Sequence, residues 1–256
     1  MPNIHSDPMK KYLAIICTAI LILGCVGQKE DPDEPLDPQE IPVEPVEPSS
    51  DAGRCLVLDF TGTWCVNCPR MEAAIQSAMQ SRPGVIVPVS VHCLLLDPMA
   101  LLPLSADLAG RFGVSAYPSV VVDLQKSSLF STTSEELLLA RCDALLKERG
   151  KASSISAEVA EKDGVLSVNV RATASKPGDY TLHILVLEDG ITAAQTGGTE
   201  NHVHNNVLRE WFDSQEFKGI AAGDEISFMS TAAAGPGRRV VAFVCRGGIV
   251  DNVTDQ

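Results

Sequence analysis

Phe60-Thr-Gly-Thr-Trp-Cys65-Val-Asn-Cys68-Pro-Arg-Met71 sets two cysteines two residues apart, after a tryptophan and before a proline. The residues leading into it, Cys55-Leu-Val-Leu-Asp-Phe60, are a short apolar run of the kind that makes a buried strand. Thr61-Gly62-Thr63 breaks that run. The residues beyond it have helical spacing: Met71, Ala74, Ile75, Ala78 and Met79 recur on one face, and Arg82-Pro83-Gly84 ends the pattern. The cysteines therefore stand between the end of a strand and the start of a helix.

That position has chemical consequences. Unpaired N–H groups and the positive end of the helix dipole stabilise an anion there, so Cys65 is expected to be the attacking thiolate. Cys68, one turn further in, is placed to attack a mixed disulfide formed by Cys65. The pair can also be read as half of a metal clip, but zinc needs four ligands and no second cysteine pair has suitable spacing. An inert pair on a scaffold is the other alternative. Asp59 is a carboxylate inside an apolar strand, where burial is costly without a task or a partner. It is either the proton acceptor for Cys68 or a cap on the turn at the strand end.

Further along, Val85–Val91 reads as a second buried strand, and Asp97-Pro98 as the N-cap and first residue of a helical insert that Pro103 interrupts and Ser105 restarts. Gly113-Val-Ser-Ala-Tyr117-Pro118 leads into an all-apolar strand, an entry that requires a special turn. Thr133 and Glu136 have capping-box spacing ahead of a helix with Leu138, Cys142 and Leu145 on its inner stripe, and Gly150 closes it.

A Trp-Cys-x-x-Cys after a strand ending in Asp-Phe, with a Tyr-Pro strand entry some fifty residues on, resembles the thioredoxin-like family over residues 53–150. The resemblance implies a mixed sheet with helices on both faces and thiol–disulfide exchange by Cys65, Cys68 and Asp59. It further implies substrate binding by Trp64, Tyr117 and a cis Pro118 that helps hold the substrate chain. The wider phrase, with Val91-His92 and Asp97-Pro98-Met99 downstream, is similar to thioredoxin-fold outer-membrane lipoproteins of anaerobic Gram-negative bacteria. Val66-Asn67 departs from redox-active relatives, which often carry a proline or an imidazole between the cysteines. Asn67 has the side chain for a weak local cap.

From residue 151 the pattern changes. Leu166, Val168 and Val170 alternate with polar residues, Tyr180–Leu187 and Arg239–Cys245 are further strand candidates, and glycines punctuate the whole stretch. This predicts an antiparallel β-sandwich over residues 151–256, with the domain boundary near Lys147–Ser154. If Asn201–Arg209 contains a strand, His202 and His204 face the same way, which suits a metal site or a polar loop entering a strand. Cys55, Cys93, Cys142 and Cys245 fall in apolar surroundings typical of buried thiols, and a second disulfide among them is an alternative.

The amino-terminal segment reads as targeting and tether. Lys10-Lys11 precede an apolar run, Tyr12–Leu23, too short to span a bilayer as a helix. Leu23-Gly24-Cys25 resembles a bacterial lipoprotein signal over residues 1–24, with Cys25 lipidated and Met9 an alternative start; a plain signal peptide is the competing reading. Residues 25–52 are acidic and carry a proline every third residue from Pro32 to Pro38 and again from Pro42 to Pro48, which favours an extended polyproline tether. Lys29-Glu30-Asp31 resembles a signal for the outer face of the outer membrane. The net charge of −13 argues against a nucleic-acid partner. The expected protein is a membrane-anchored oxidoreductase acting on extracytoplasmic thiol or disulfide proteins, with no cofactor and no metal. The alternative is a non-catalytic cell-surface binding protein on the same scaffold.

Overall fold

The computed structural model describes residues 53–212 and 214–256. The signal, Cys25 and the tether lie outside the described residues. The chain forms β1 (Cys55–Thr61), α1 (Cys68–Ser81), β2 (Ile86–His92), α2 (Leu104–Phe112), β3 (Ser119–Val122) and α3 (Glu135–Arg149). Ten strands follow: β4 (Ser154–Lys162), β5 (Val165–Thr173), β6 (Gly178–Glu188), β7 (Ile191–Ala193), β8 (His202–His204), β9 (Val207–Trp211), β10 (Gln215–Ile220), β11 (Glu225–Ala233), β12 (Arg238–Arg246) and β13 (Ile249–Asp255).

The fold is mixed α/β with one large sheet. Strand β1 lies between β2, which runs parallel to it, and β3, which runs antiparallel. Leu56, Leu58, Phe60, Val87, Val89 and Val91 face α2 through Leu108 and Phe112. Cys55, Val57 and Ile86 face the other way, onto Met71, Ile75 and Ala78 of α1 and Leu138 and Cys142 of α3. Period-two alternation thus gives each strand two apolar faces, and helices cover both. The Tyr117–Pro118 peptide is cis and leads into β3.

The sheet crosses the expected boundary near residue 150. Its order is β13-β12-β6-β9-β2-β1-β3, so strands from both halves of the chain share it. The physical reason lies in β6 and β12, which are apolar on both faces. Leu185, Leu187, Val241 and Phe243 enter the same core as Leu58, Val89 and Phe112. Leu182, Ile184, Val186, Val240, Ala242 and Val244 pack instead on Leu166, Val168 and Val170 of a three-stranded sheet ordered β11-β5-β4. The strands expected to form a separate sandwich over residues 151–256 lie in two layers, and one of these is the continuation of the amino-terminal sheet. Strand β5 has the alternation anticipated for it because only one of its faces is covered.

Three local expectations are corrected. Asp97-Pro98 does not start a helix; α2 begins at Leu104, and Asp97 instead closes a turn by accepting from the Met99 N–H at 2.9 Å. The cap of α3 is Ser134, not Thr133: its hydroxyl accepts from Leu137 N at 3.1 Å and donates to Glu136. Cys68 does not lie a turn inside α1 but opens it, and Asn67 before it makes no side-chain cap.

A shared core predicts shared unfolding. The two tryptophans, Trp64 and Trp211, sit in opposite halves of the chain. Fluorescence of Trp64→Phe and Trp211→Phe variants should give coincident urea transitions. Phe243→Ala should shift both by about 3–5 kcal/mol, whereas independent domains would give two separate transitions, only one of them moved.

Candidate functional site

The parallel register of β1 and β2 sets Asp59 opposite Ser90 and Thr61 opposite His92. These four side chains share the face on which α1 lies, so the start of that helix closes over them. The turn between β1 and α1 is shaped by Gly62. A Cβ there would stand 2.5 Å from Trp64 Nε1, so glycine lets the indole fold back across the turn. The indole N–H donates to the Cys93 carbonyl at 3.1 Å, and the ring meets Tyr117 edge-on at 5.1 Å. Cys65 and Cys68 are joined as a disulfide with Cα atoms 5.4 Å apart.

Asp59 borders the same small cavity as Cys68 and is buried. Burial, reinforced by the charge of Glu72, pushes its carboxyl up to about 8, so it is a neutral acid at pH 7. Oδ1 has no hydrogen-bond partner. Asp59, Cys68, Glu72, Ser90, His92 and His204 border one cavity of about 20 Å³.

Asp97 organises the neighbouring loop. Its carboxylate accepts from Thr63 N at 2.8 Å and Met99 N at 2.9 Å and pairs with His92 Nδ1 at 2.9 Å. Burial pushes this carboxyl upward, but His92 and the two backbone N–H groups outweigh it and hold the group below the usual range.

The segment between β7 and β8 covers the dithiol. The buried Gln195 donates from Nε2 to Gly62 O at 3.2 Å and Cys65 O at 2.9 Å, and Thr196 N donates to Thr63 O at 2.8 Å. Gly197 has φ +78°, and a Cβ on it would come within 2.1 Å of the Val66 carbonyl oxygen. His202 Nε2 meets Glu72 Oε2 on α1 at 2.8 Å. Cys65 is left 4% exposed and Cys68 2%.

His202 and His204 do face the same way on β8, with ring centroids 4.7 Å apart, and His204 meets His92 at 5.4 Å. Burial, then His92 and His202, push the His204 imidazole down to about 4, while Asp97 and a backbone hydrogen bond with Ala193 act in the opposite sense. Among the described residues, no group of three or more His, Cys, Asp or Glu side chains is arranged to hold a metal. Cys55, Cys93, Cys142 and Cys245 are free and buried. Burial raises the Cys93 thiol to about 11 and, with Cys93 beside it, the Tyr117 hydroxyl to about 12.

The structure thus gathers Cys65, Cys68 and Asp59 at one place, with Trp64 and Tyr117 in contact beside them and Pro118 buried next in the chain. Gln195, Gly197 and Glu72 belong to the site without having been singled out in the sequence. The signal for the first two was Gln195-Thr-Gly-Gly, which by itself indicates only a turn.

No family model and no curated protein matches the chain. Solved structures do. HBP35 of Porphyromonas gingivalis superposes with a TM-score of 0.64 at 16% identity, covering 80% of this chain and 74% of that one. A protein from Agrobacterium tumefaciens superposes with a TM-score of 0.58 at 13% identity, over 81% of this chain and 95% of that one. At these identities the likeness concerns the fold.

The raised Asp59 carboxyl carries a pH signature. The folded state keeps a proton that the unfolded chain loses above about pH 4, so Asp59 makes stability fall as pH rises toward 8. His204, held down to about 4, has the opposite effect below pH 6.5, as does His183. The interval from 6.5 to 8 isolates the carboxyl. Urea unfolding should show wild-type stability declining across it and Asp59→Asn flattening the decline; equal slopes would mean that Asp59 is ionised throughout.

Proposed function

We propose that this chain is a thioredoxin-like protein that exchanges thiols and disulfides with extracytoplasmic proteins through Cys65 and Cys68. The observation that carries the reading is a disulfide at the start of α1 whose Cys68 shares a small cavity with a buried, neutral carboxyl. With the disulfide as oxidant, a substrate thiolate attacks Cys65 Sγ and the Cys65–Cys68 bond breaks; reduction of a substrate disulfide is the same sequence reversed. Cys68 leaves as a thiolate, and Asp59 is the acid at hand to protonate it. A second substrate thiolate then releases Cys65 and the substrate becomes the disulfide. Two electrons pass from substrate to protein. Leu94, Leu95 and Leu96, exposed on the loop whose Cys93 holds Trp64, offer an apolar patch beside the dithiol suited to protein substrates. Lipidation at Cys25, display on the outer membrane and a stiff tether complete the proposal and rest on the sequence motifs alone.

The test is capture. Cys68→Ser should hold partner proteins as mixed disulfides through Cys65 and abolish insulin reduction, and Cys65→Ser should capture none. Absence of any captured partner, with insulin untouched by the wild type, would defeat the reading.

A second reading, a non-catalytic surface binding protein using the fold as scaffold, is favoured by the cover over both sulfurs. Gly197→Ala separates the two, because its Cβ has no room against Val66. In an exchange protein, lifting this cover should raise the rate of disulfide reduction by dithiothreitol by about tenfold or more, equivalent to about 1.4 kcal/mol of protection. In a scaffold protein it should leave partner binding intact and create no insulin reductase activity.

A further inference from the structure

Two buried polar atoms, Asp59 Oδ1 and His204 Nε2, have no hydrogen-bond partner, and their side chains border the same cavity as Cys68. A cavity of about 20 Å³ is large enough for one water, which needs about 10–15 Å³ and polar partners. The Ala193 backbone engages His204, leaving Nε2 as the nitrogen that faces no protein group. We propose that His204 is the proton partner of Asp59: a water in this cavity links Oδ1 to Nε2 and carries the proton between the carboxyl and the imidazole.

The proposal rests on the exchange reading above and supplies what that reading lacks. Dithiol chemistry requires Asp59 to lose a proton to Cys68 on reduction and to regain one afterwards. The Asp59 carboxyl is buried, with Gln195 bordering the same cavity, and so is held away from bulk water. The histidines lead outward from it: the His204 ring lies 4.7 Å from that of His202, which pairs with Glu72 at 2.8 Å at the partly exposed rim. At rest the proton stays on Asp59 and the imidazole is neutral, as their values of about 8 and about 4 require; once Cys68 has taken that proton, the new carboxylate draws the next one onto the Asp59–water–His204 unit, where its negative charge offsets the burial of an imidazolium. The groups facing this transfer are Asp59 on β1, Cys68 and Glu72 on α1, His92 on β2, Asp97 on the loop after it and His202 on β8. No electrons move in this step; only the proton does.

The test uses the full chain. Reduction of the oxidised protein by dithiothreitol is followed from pH 5 to 9 for the wild type and His204→Gln. The amide side chain can still hold the water but cannot carry a proton. The rate should drop by at least about tenfold, the low end for loss of a general acid–base group being larger still, and one ionisation should vanish from the pH profile. In the wild type, the ¹⁵N resonance of His204 Nε2 should move between the oxidised and reduced forms, a measurement that stands even if the variant fails to fold. A variant with wild-type rate and profile, a slower variant with an unchanged profile, or an Nε2 resonance indifferent to redox state would each overturn the proposal. Insulin reduction by the wild type alongside any of these would leave the exchange reading standing. A wild-type disulfide that resists dithiothreitol altogether overturns both.

Discussion

The parallel pairing of β1 with β2 is the constraint on which the site depends. Its register puts Asp59 beside Ser90 and Thr61 beside His92, on the face where α1 begins. A slip of β1 by one residue would turn Asp59 and Thr61 into the core formed with α2 and bring Phe60 onto the face of α1. The register is held because both faces of each strand are already committed: Leu56, Leu58 and Phe60 to α2, Cys55 and Val57 to α1 and α3. The packing that stabilises the sheet and the placement of a costly buried carboxyl are thus one arrangement.

The second half of the chain contributes to the site because it extends the same sheet. Strand β9 joins the exposed edge of β2, where Ser90 N donates to Asn206 O at 2.7 Å and the Ser90 hydroxyl to Asn205 O at 3.1 Å. Those contacts fix residues 204–207 beside Asp59. They deliver His204 to the cavity and bring Gln195–Gly197 over the disulfide. A dithiol that would otherwise lie open at a helix start is enclosed by backbone contacts that another chain would have to replace. On the proposed exchange reading, a partner would have to displace this cover, which is where selectivity among thiol proteins would arise.

Much of the amino-terminal half was legible in the sequence. The run from Cys55 to Phe60 and the spacing of Met71, Ile75 and Ala78 are local patterns, and the structure places a strand and a helix there; the pattern at Tyr117-Pro118 indicated a special turn, and its cis peptide was implied by the family resemblance. The joining of the two halves was not legible. Tyr180–Leu187 and Arg239–Cys245 announce buried strands, but an apolar run does not say which sheet buries it. Asp97 misled because an Asp-Pro pair starts helices and closes turns alike; the deciding partners, Thr63 and His92, are remote or lie before it. Gln195 and Gly197 were invisible as site residues because their partners lie about 130 positions away.

The central claim is that the Cys65–Cys68 pair is a working couple and not a structural staple. Its reduction potential in the full chain, set against a glutathione or dithiothreitol redox buffer, tests that most directly. The account predicts a reversible equilibrium with a potential above about −300 mV, in the range where thiol exchange with partner proteins is feasible. A pair that stays oxidised at about −300 mV and below would be a structural disulfide, and the exchange reading would be contradicted.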